Sequence, residues 1–265
     1  MYIVLTHDVD SVRRPLKHVL QRWRRFNITD LIKHILGLTN LYNNIEEILA
    51  LEDRYGVRST FFVPVQLFPI DEIDDILKYA ITQGWEVELH YVYESVQPEA
   101  LLKMQKEYME QKLSIKVLGV RVHNLIISRD ILKMFSKVGI LYDSTYRAES
   151  LDTYDPTHIE NILEIPIAVM DTDLFGRLHM NEEYAIKYIM WKLNTAQARG
   201  HRFFTILFHQ ESYKMKGGRI YRELLRQLVA QGHMFLRCID VLNMFIRGQE
   251  IKRTGEAPAG RAAGI

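Results

Sequence analysis

The sequence has almost no cysteine and no excess of charge of either sign. Cys238 is the single cysteine, which excludes an internal disulfide and favours a reducing compartment. The 34 Lys and Arg residues balance 33 Asp and Glu residues to a net charge of +1. The overall charge therefore indicates no nucleic acid or other polyanion as a partner.

Long apolar runs are also missing from the sequence. No uncharged apolar run approaches the roughly 20 residues that a spanning helix needs, so we expect no transmembrane segment. The opening stretch MYIVLTHDVD lacks the basic and apolar regions of a secretory signal, and we therefore expect a cytoplasmic protein. Hydrophobic residues occupy 48% of the 265 positions, which is enough for a full core.

Short apolar runs rich in β-branched and aromatic residues alternate with stretches of helical spacing. The runs predict buried strands over 2–6, 59–63, 86–89, 117–122, 162–167, 203–208 and 234–236. Several helical stretches end at a glycine, as at Gly56, Gly84 and Gly139, which is typical of repeated βα units. We predict an α/β fold, a TIM-like (β/α) barrel of about seven parallel strands. It would form one domain over 1–252, followed by a disordered tail over 253–265.

The segment 11–40 stands out by its composition. It contains Trp23, Phe26 and six clustered cations, which are Arg13, Arg14, Lys17, Arg22, Arg24 and Arg25. One interpretation is a long first βα connection with a solvated basic face. The other is a basic, aromatic-bearing lip that binds an anionic or lipid-linked substrate, because clustered cations create a local field that the net charge hides.

Two aspartates follow the first predicted strand. Side chains alternate along a strand, so Asp8 and Asp10 share one face while His7 takes the other. Two carboxylates at this spacing repel each other unless a cation or a proton lies between them. The structural alternative is a helix N-cap with a neighbouring salt bridge.

Other polar residues also lie at the ends of predicted strands. His90 ends the third run, Arg121 and His123 share one side at the end of the fourth, and His209 follows the run over 203–208. Ligands of parallel α/β folds bind at the carboxyl ends of strands, so these side chains are expected to converge.

These residues resemble the polysaccharide deacetylase family, also called the NodB-homology family or carbohydrate esterase family 4. The matching motifs, in family order, are LTHDVD (5–10), STFFV (59–63), GWEVELH (84–90), GVR (119–121), YDST (142–145), EIPI (164–167) and LFH (207–209). The first is similar to the D-x-D variant of the family's opening motif. The resemblance implies a distorted, NodB-type (β/α) barrel.

The sequence departs from the family in one metal-binding motif. The family usually has H-x-x-x-H, whereas here His90 is followed four residues later by Glu94. Glu94 could supply the third ligand, His123 could supply it from the adjacent strand, or the site could be degraded. The stretch GVRVHNL (119–125) resembles relatives with G-x-R-x-H, which favours His123 over Glu94. An Asp/His/His set suits a divalent ion such as Zn²⁺, and Co²⁺ or Fe²⁺ would also fit.

The resemblance implies a hydrolase that removes an acetyl group from an N-acetylated sugar. Asp10, His90 and His123 would hold the metal ion, and Asp8 would be the general base. Arg121 would orient Asp8. The resemblance also implies that His209 protonates the leaving amine, with Asp171 or Asp173 beside it.

Aromatic side chains near the strand ends are candidates for stacking on a sugar ring. Tyr91 and Tyr146 are the main candidates, and Tyr93, Phe175 and Tyr213 are further ones.

Two other functions compete with the deacetylase. One is a catalytically silent sugar-binding protein that has lost its metal through the change at Glu94. The other is a metal-dependent amidohydrolase that acts on a non-sugar amide, since the fold and the site do not specify the acyl carrier.

Overall fold

A computed structural model describes the backbone of residues 1–254 and the side chains of residues 1–248. Apart from the helical positions 253 and 254, the predicted tail lies outside the described residues. Within the described chain, no helix is both long enough and apolar enough to cross a lipid bilayer.

Ten strands of the described chain form one sheet. They are β1 (Tyr2–Asp8), β2 (Thr60–Val63), β3 (Glu86–Tyr91), β4 (Gly119–Val122), β5 (Tyr142–Asp143), β6 (Thr157–Ile159), β7 (Ile162–Glu164), β8 (Ile167–Met170), β9 (Phe203–Leu207) and β10 (Met234–Leu236). The spatial order is β6-β7-β5-β4-β3-β2-β1-β9-β8, and β10 pairs with β1. Neighbouring strands are parallel except for the antiparallel pair β6 and β7.

Helices connect most of these strands. They are α1 (Leu16–Gln21), α2 (Ile28–Ile35), α3 (Ile45–Arg54), α4 (Asp74–Thr82), α5 (Pro98–Leu113), α6 (Arg129–Lys137), α7 (Ala148–Leu151), α8 (Glu182–Ala198), α9 (Ile220–Ala230) and α10 (Cys238–Thr254). Glycines with positive φ follow several of them, as at Gly56 after α3 and Gly84 after α4, because a left-handed residue lets the chain leave the helix.

The sheet curls into a distorted barrel. Beyond β5 the chain runs beside the start of β8. There the amide of Ile167 donates to the carbonyl of Tyr146 (2.8 Å), and the backbones of Arg147 and Ile167 form an isolated parallel β-bridge. This contact brings the β8 edge of the sheet back to the β5 side. The predicted distorted (β/α) barrel is confirmed.

The strand prediction was incomplete in one region. The run predicted over 162–167 is two strands, β7 and β8, separated at Pro166, which has no N–H for a ladder hydrogen bond. Strand β5 was missed because it has only two residues, and β6 because it is a short, partly exposed strand at the edge.

Alternation along the strands divides the core into two parts. Ile3 and Leu5 of β1 face outward into the layer between sheet and helices, whereas Val4 faces the barrel interior with Phe62 and Tyr142. The same alternation directs Asp8 inward and His7 outward, where His7 bonds to Glu52 (2.8 Å). Polar residues of the inward set therefore reach the carboxyl end of the barrel together.

Candidate active site

The polar side chains at the carboxyl ends of the strands converge on one cavity. It has a volume of about 250 Å³. The residues that the sequence placed at strand ends and that line this cavity are Asp8, Asp10, His90, His123 and His209.

Three of these residues face one another closely enough to share a metal ion. Asp10 Oδ1 lies 3.2 Å from His90 Nε2 and 3.3 Å from His123 Nδ1. The two imidazole nitrogens are 3.1 Å apart. Among the described residues, Asp10, His90 and His123 are the group whose ligand atoms could hold an ion.

The environment of these atoms fits a divalent cation. Ligand atoms about 2.0 Å from a tetrahedral ion are about 3.3 Å from one another, close to the separations found here. Asp10 Oδ1 is buried and has no hydrogen-bond partner among the described residues. Burial disfavours the charged form of Asp10, but the neighbouring imidazoles of His123 and His90 outweigh it and hold its pKa below the ordinary range. A carboxylate and two imidazoles are ligands that Zn²⁺ accepts.

A sharp turn positions His123. The backbone of Asn124 and Leu125 is left-handed, with φ of 60° and 54°, so the chain reverses directly after His123. This conformation is unfavourable for leucine. The end of β4 is fixed from the neighbouring strand, because the amide of Val122 donates to Thr145 Oγ1 (2.9 Å).

Asp8 lies beside the ligand group and is held by Arg121. Arg121 Nη1 donates to Asp8 Oδ1 (2.8 Å) and to Thr6 Oγ1 (2.9 Å). Its other donors bind the carbonyl and hydroxyl of Ser144 (2.6 and 2.7 Å). Burial opposes ionisation of Asp8, yet Arg121, with His90 and His209, lowers its pKa. Asp8 Oδ2, the oxygen not bonded to Arg121, lies 3.9 Å from His90 Nε2.

His209 lies on the other side of Asp10 and is paired with Asp171. Its Nδ1 is 2.6 Å from Asp171 Oδ1, and its amide donates to Asp171 Oδ2 (3.2 Å). Its Nε2 lies 3.8 Å from Asp10 Oδ2. Burial works against the imidazolium, but the Asp171 carboxylate dominates and raises the pKa of His209 well above its ordinary value. Asp173 turns away and pairs with Arg147 and Arg177.

Three predicted site residues lie apart from the cavity. Glu94 is solvent-exposed and lies outside the ligand group. Tyr91 is fully buried, and its hydroxyl donates to the carbonyl of Pro98 (2.9 Å), so the predicted sugar contact is wrong for this residue. Since His90 points inward, alternation along β3 sends Tyr91 outward. Tyr146 packs against the outer core and is not among the residues that line the cavity, so the structure gives its predicted sugar contact no support.

The sequence did not reveal other residues around the cavity. Arg147 and Thr172 line it, and both follow strands whose ends the apolar pattern did not locate. Glu211 lies two residues after His209, and burial, with the nearby Asp10 and Asp171 carboxylates, raises its pKa to about 8. No motif pointed to Glu211.

A second cavity of about 440 Å³ shares Thr172 with the first and is also lined by Asp171, the partner of His209. Its walls combine the cations Arg24, Arg25 and Lys216 with the ring of Phe175. The segment 11–40 therefore contributes to a cavity next to the candidate site.

Comparison with families and curated proteins yields no relative. A scan against models of protein families finds no match, and a search of curated proteins finds none.

Solved structures do resemble the chain. A protein assigned as a polysaccharide deacetylase from Mycobacterium smegmatis has a TM-score of 0.69 and 18% identity, with 94% of this chain and 91% of that chain covered. The allantoinase PuuE has a TM-score of 0.66 and 14% identity, with 91% and 89% covered. A pseudoenzyme of carbohydrate esterase family 4 from Bacillus anthracis has a TM-score of 0.54 and 13% identity, with 91% and 65% covered. The chain has the fold of the polysaccharide deacetylases.

Proposed function

We propose that this protein is a metal-dependent hydrolase that removes the acetyl group from an N-acetylated sugar or a sugar-containing intermediate. One observation carries the proposal. The ligand atoms of Asp10, His90 and His123 lie 3.1 to 3.3 Å apart. An arginine-bound carboxylate flanks them on one side and a carboxylate-bound imidazole on the other. A base and an acid on either side of a cation site are what amide hydrolysis requires.

The metal would be held by Asp10, His90 and His123, and when bound it would polarise the amide carbonyl and make a water molecule more acidic. Zn²⁺ suits this ligand set best, and Co²⁺ or Fe²⁺ would also be accepted.

Asp8 would act as the general base. Its Oδ1 is bonded to Arg121 (2.8 Å), which leaves Oδ2 on the side of His90 to take a proton from water. Arg121 is fully buried and fixed by Ser144, so the Asp8 carboxylate keeps one orientation. The lowered pKa keeps Asp8 ionised at neutral pH and also limits its strength as a base.

His209 would act as the general acid. Its raised pKa keeps the imidazole protonated at neutral pH, and Asp171 fixes the ring through Nδ1. The proton on Nε2 would pass to the nitrogen of the departing amine. Before this transfer, water would add to the carbonyl carbon and lose a proton to Asp8; as the C–N bond breaks, the water oxygen would stay in acetate and the amine would leave neutral.

The surroundings of the site support an anionic substrate. The adjoining cavity offers the cations of Arg24, Arg25 and Lys216 beside an aromatic ring, which suits an amino-sugar compound that carries an anionic group. We propose an anionic or lipid-linked substrate. The single cysteine is consistent with a cytoplasmic setting.

Two alternatives have specific support. The structural likeness to the allantoinase PuuE supports, as one alternative, a hydrolase that acts on a non-sugar amide. The other alternative is a catalytically silent sugar-binding protein. It is supported by the structural likeness to a pseudoenzyme and by the exposure of Glu94. Against the latter, His123 would complete a three-residue ligand set without Glu94.

Metal analysis and a substrate panel test the proposal. We expect about one equivalent of transition metal in the purified protein by mass spectrometry, and acetate release from N-acetylated sugars. Hydrolysis of ureides or simple amides without activity on sugars would favour the amidohydrolase. A protein that binds no metal even after zinc is added would favour the silent binding protein.

A further inference from the structure

The segment 11–40 presents an apolar surface to solvent. In the described chain, eight of the twenty exposed large apolar side chains lie between positions 16 and 38. Leu16 and Leu20 in α1 and Trp23 just after it are spaced four and three residues apart, so they share one side. Ordinary surface apolar residues are scattered singly, and a cluster of this kind indicates a partner.

Helix α2 adds a second exposed apolar face to the segment. Ile28, Ile32 and Ile35 are exposed and follow the i, i+4, i+7 spacing of one helical face. Leu31, at the edge of this set, is the buried residue that anchors the helix to the protein. Leu36 and Leu38 extend the exposed set past the end of α2. This helix thus turns most of its apolar side chains toward solvent.

The same segment is strongly cationic. It contains seven Lys and Arg residues and one acidic residue, Asp30. In the described part of the chain, only Arg13 among these cations forms an ion pair, with Glu72 (2.7 Å). Arg14, Lys17 and Arg22 are exposed and have no acidic partner there. Their charge is therefore available to an external anion.

The segment is fixed firmly to the candidate site. Gln210, the residue after His209, donates through Nε2 to the carbonyls of Ser11 (2.6 Å) and Tyr42 (2.8 Å). Its Oε1 accepts from the amide of Asn44 (2.8 Å). Farther out, the amide of Lys216 donates to the carbonyl of Arg25 (2.8 Å). The exposed surface therefore keeps a set position beside the site.

We infer that the face of segment 11–40 formed by Leu16, Leu20, Trp23, Ile28, Ile32 and Ile35, with the cations around it, binds the surface of an anionic lipid bilayer. Unpaired cations complement anionic headgroups, and aliphatic and indole side chains enter the boundary between headgroups and acyl chains. A nucleic acid would match the cations but not the aliphatic side chains. A second copy of the chain would match the aliphatic side chains but would bring the same positive charges together.

Docking of this surface does not depend on catalysis. Only its consequence rests on the proposed function. Because Arg24 and Arg25 belong both to the segment and to the cavity that adjoins the site, docking would place that cavity against the lipid surface. The substrate would then be an amino-sugar compound carried on a membrane lipid through an anionic group.

Vesicle sedimentation of the full chain tests the inference. We expect binding to vesicles of equal parts phosphatidylglycerol and phosphatidylcholine, weak binding to phosphatidylcholine alone, and release as salt increases. In a Trp191→Phe protein, in which Trp85 is buried, a blue shift of the emission on adding the mixed vesicles would report insertion of Trp23.

Matched variants locate the surface. Trp23→Ser/Ile28→Ser should weaken vesicle binding about tenfold or more, whereas Tyr184→Ser/Trp191→Ser, which removes a similar exposed pair from α8, should not. Lys17→Gln/Arg22→Gln should weaken it about tenfold or more, and the exposed pair Arg199→Gln/Arg222→Gln should have little effect. Circular dichroism melting of each variant shows that the fold is kept.

Three results would overturn the inference. They are equal or no binding to the two kinds of vesicle, equal effects of the test and control variants, and a dimer that Trp23→Ser/Ile28→Ser dissociates in the absence of lipid. Binding to duplex DNA without binding to vesicles would overturn it as well. The assay needs no turnover, so an inactive protein that binds vesicles would refute the proposed function and not the docking surface.

Discussion

His209 Nδ1 lies 2.6 Å from Asp171 Oδ1, and His209 lines the cavity that also contains the candidate metal ligands. Neither residue lies inside a strand or a long helix, and Asp171 follows the last residue of β8. A buried carboxylate at this distance decides whether the imidazole carries its proton at neutral pH.

We therefore expect Asp171→Asn to lower the pKa of His209 toward its ordinary value. The alkaline limb of the kcat–pH profile should move to lower pH, and kcat at neutral pH should fall about 100-fold. The imidazole titration followed by NMR measures the pKa without turnover. Asp173→Asn, which changes a carboxylate bound to Arg147 and Arg177 instead, should leave the titration of His209 in place. Equal effects of the two variants would contradict the pairing.

The sequence left open whether His123 or Glu94 is the third metal ligand, and a variant of each distinguishes between them. His123→Ala should lower metal affinity at least about 100-fold, because it removes one of three ligand atoms. Glu94→Ala should leave affinity within about twofold, since Glu94 is exposed and outside the ligand group. Titration of the metal-free protein with Zn²⁺ by calorimetry compares them, and the reverse order would assign the third ligand to Glu94.

Asp8 can be tested apart from metal binding. Asp8→Asn keeps the shape of the side chain and a partner for Arg121, so we expect metal content near that of the wild type. Turnover should fall by roughly 10² to 10⁴-fold, the usual contribution of a general base. Metal analysis and acetate release on the same sample are the measurements. Wild-type turnover in this variant would remove Asp8 from the mechanism.

Glu52 is a stabilising residue beneath the site. Four donors reach its buried carboxylate, from His7, Ser59, Trp85 and Tyr221, at 2.5 to 2.8 Å. Glu52→Ala should lower the free energy of unfolding by about 3 kcal/mol or more, because the donors lose their acceptor. Its neighbour Asp53 forms an exposed pair with Arg58, and Asp53→Ala should cost less than about 1 kcal/mol. Urea denaturation measures both.

Asp143 and Glu164 give the stability a pH dependence. Burial raises the pKa of Asp143 to about 6, and burial together with Asp143 raises the pKa of Glu164 well above its ordinary value. The folded protein then binds more protons than the unfolded chain above the ordinary carboxyl pKa. Stability contributed by the protonated pair is therefore lost as pH rises through the folded pKa values.

Replacing Glu164 should remove part of this loss. Between pH 5 and pH 8, we expect Glu164→Gln to gain on the order of 2 kcal/mol in unfolding free energy relative to the wild type. Urea denaturation at the two pH values measures the gain. The exposed change Glu107→Gln is the control, and a difference between Glu164→Gln and wild type that does not vary with pH would contradict the raised pKa values.

Strand periodicity was sufficient to predict the barrel and to find the strand ends at which Asp8, His90, Arg121 and His209 meet. Periodicity fails where a strand is no longer than one period of two residues, as for β5. Side-chain alternation along β3 places Tyr91 on the face opposite to His90, and this alone argues against Tyr91 as a sugar contact.

Other features depend on tertiary contacts that no local pattern contains. Asp171, and not Asp173, pairs with His209, because a π-helical turn begins at Asp173 and the carboxylate of Asp173 pairs with Arg147. The unusual composition of segment 11–40 was visible in the sequence. Tertiary contacts decide which of its apolar side chains are buried, namely Val12, Val19, Phe26 and Leu31, and which face solvent.

The amide group of Gln210 has an architectural consequence. Because one nitrogen bonds both Ser11 and Tyr42, the chain leaves the barrel and re-enters it at nearly the same place. The intervening stretch is thus a closed detour, and the barrel does not depend on its length. Such a segment can be replaced by another that joins the same two ends. An exchange of this kind would replace the inferred docking surface and the Arg24 and Arg25 side of the adjoining cavity, while the candidate metal ligands stayed in place.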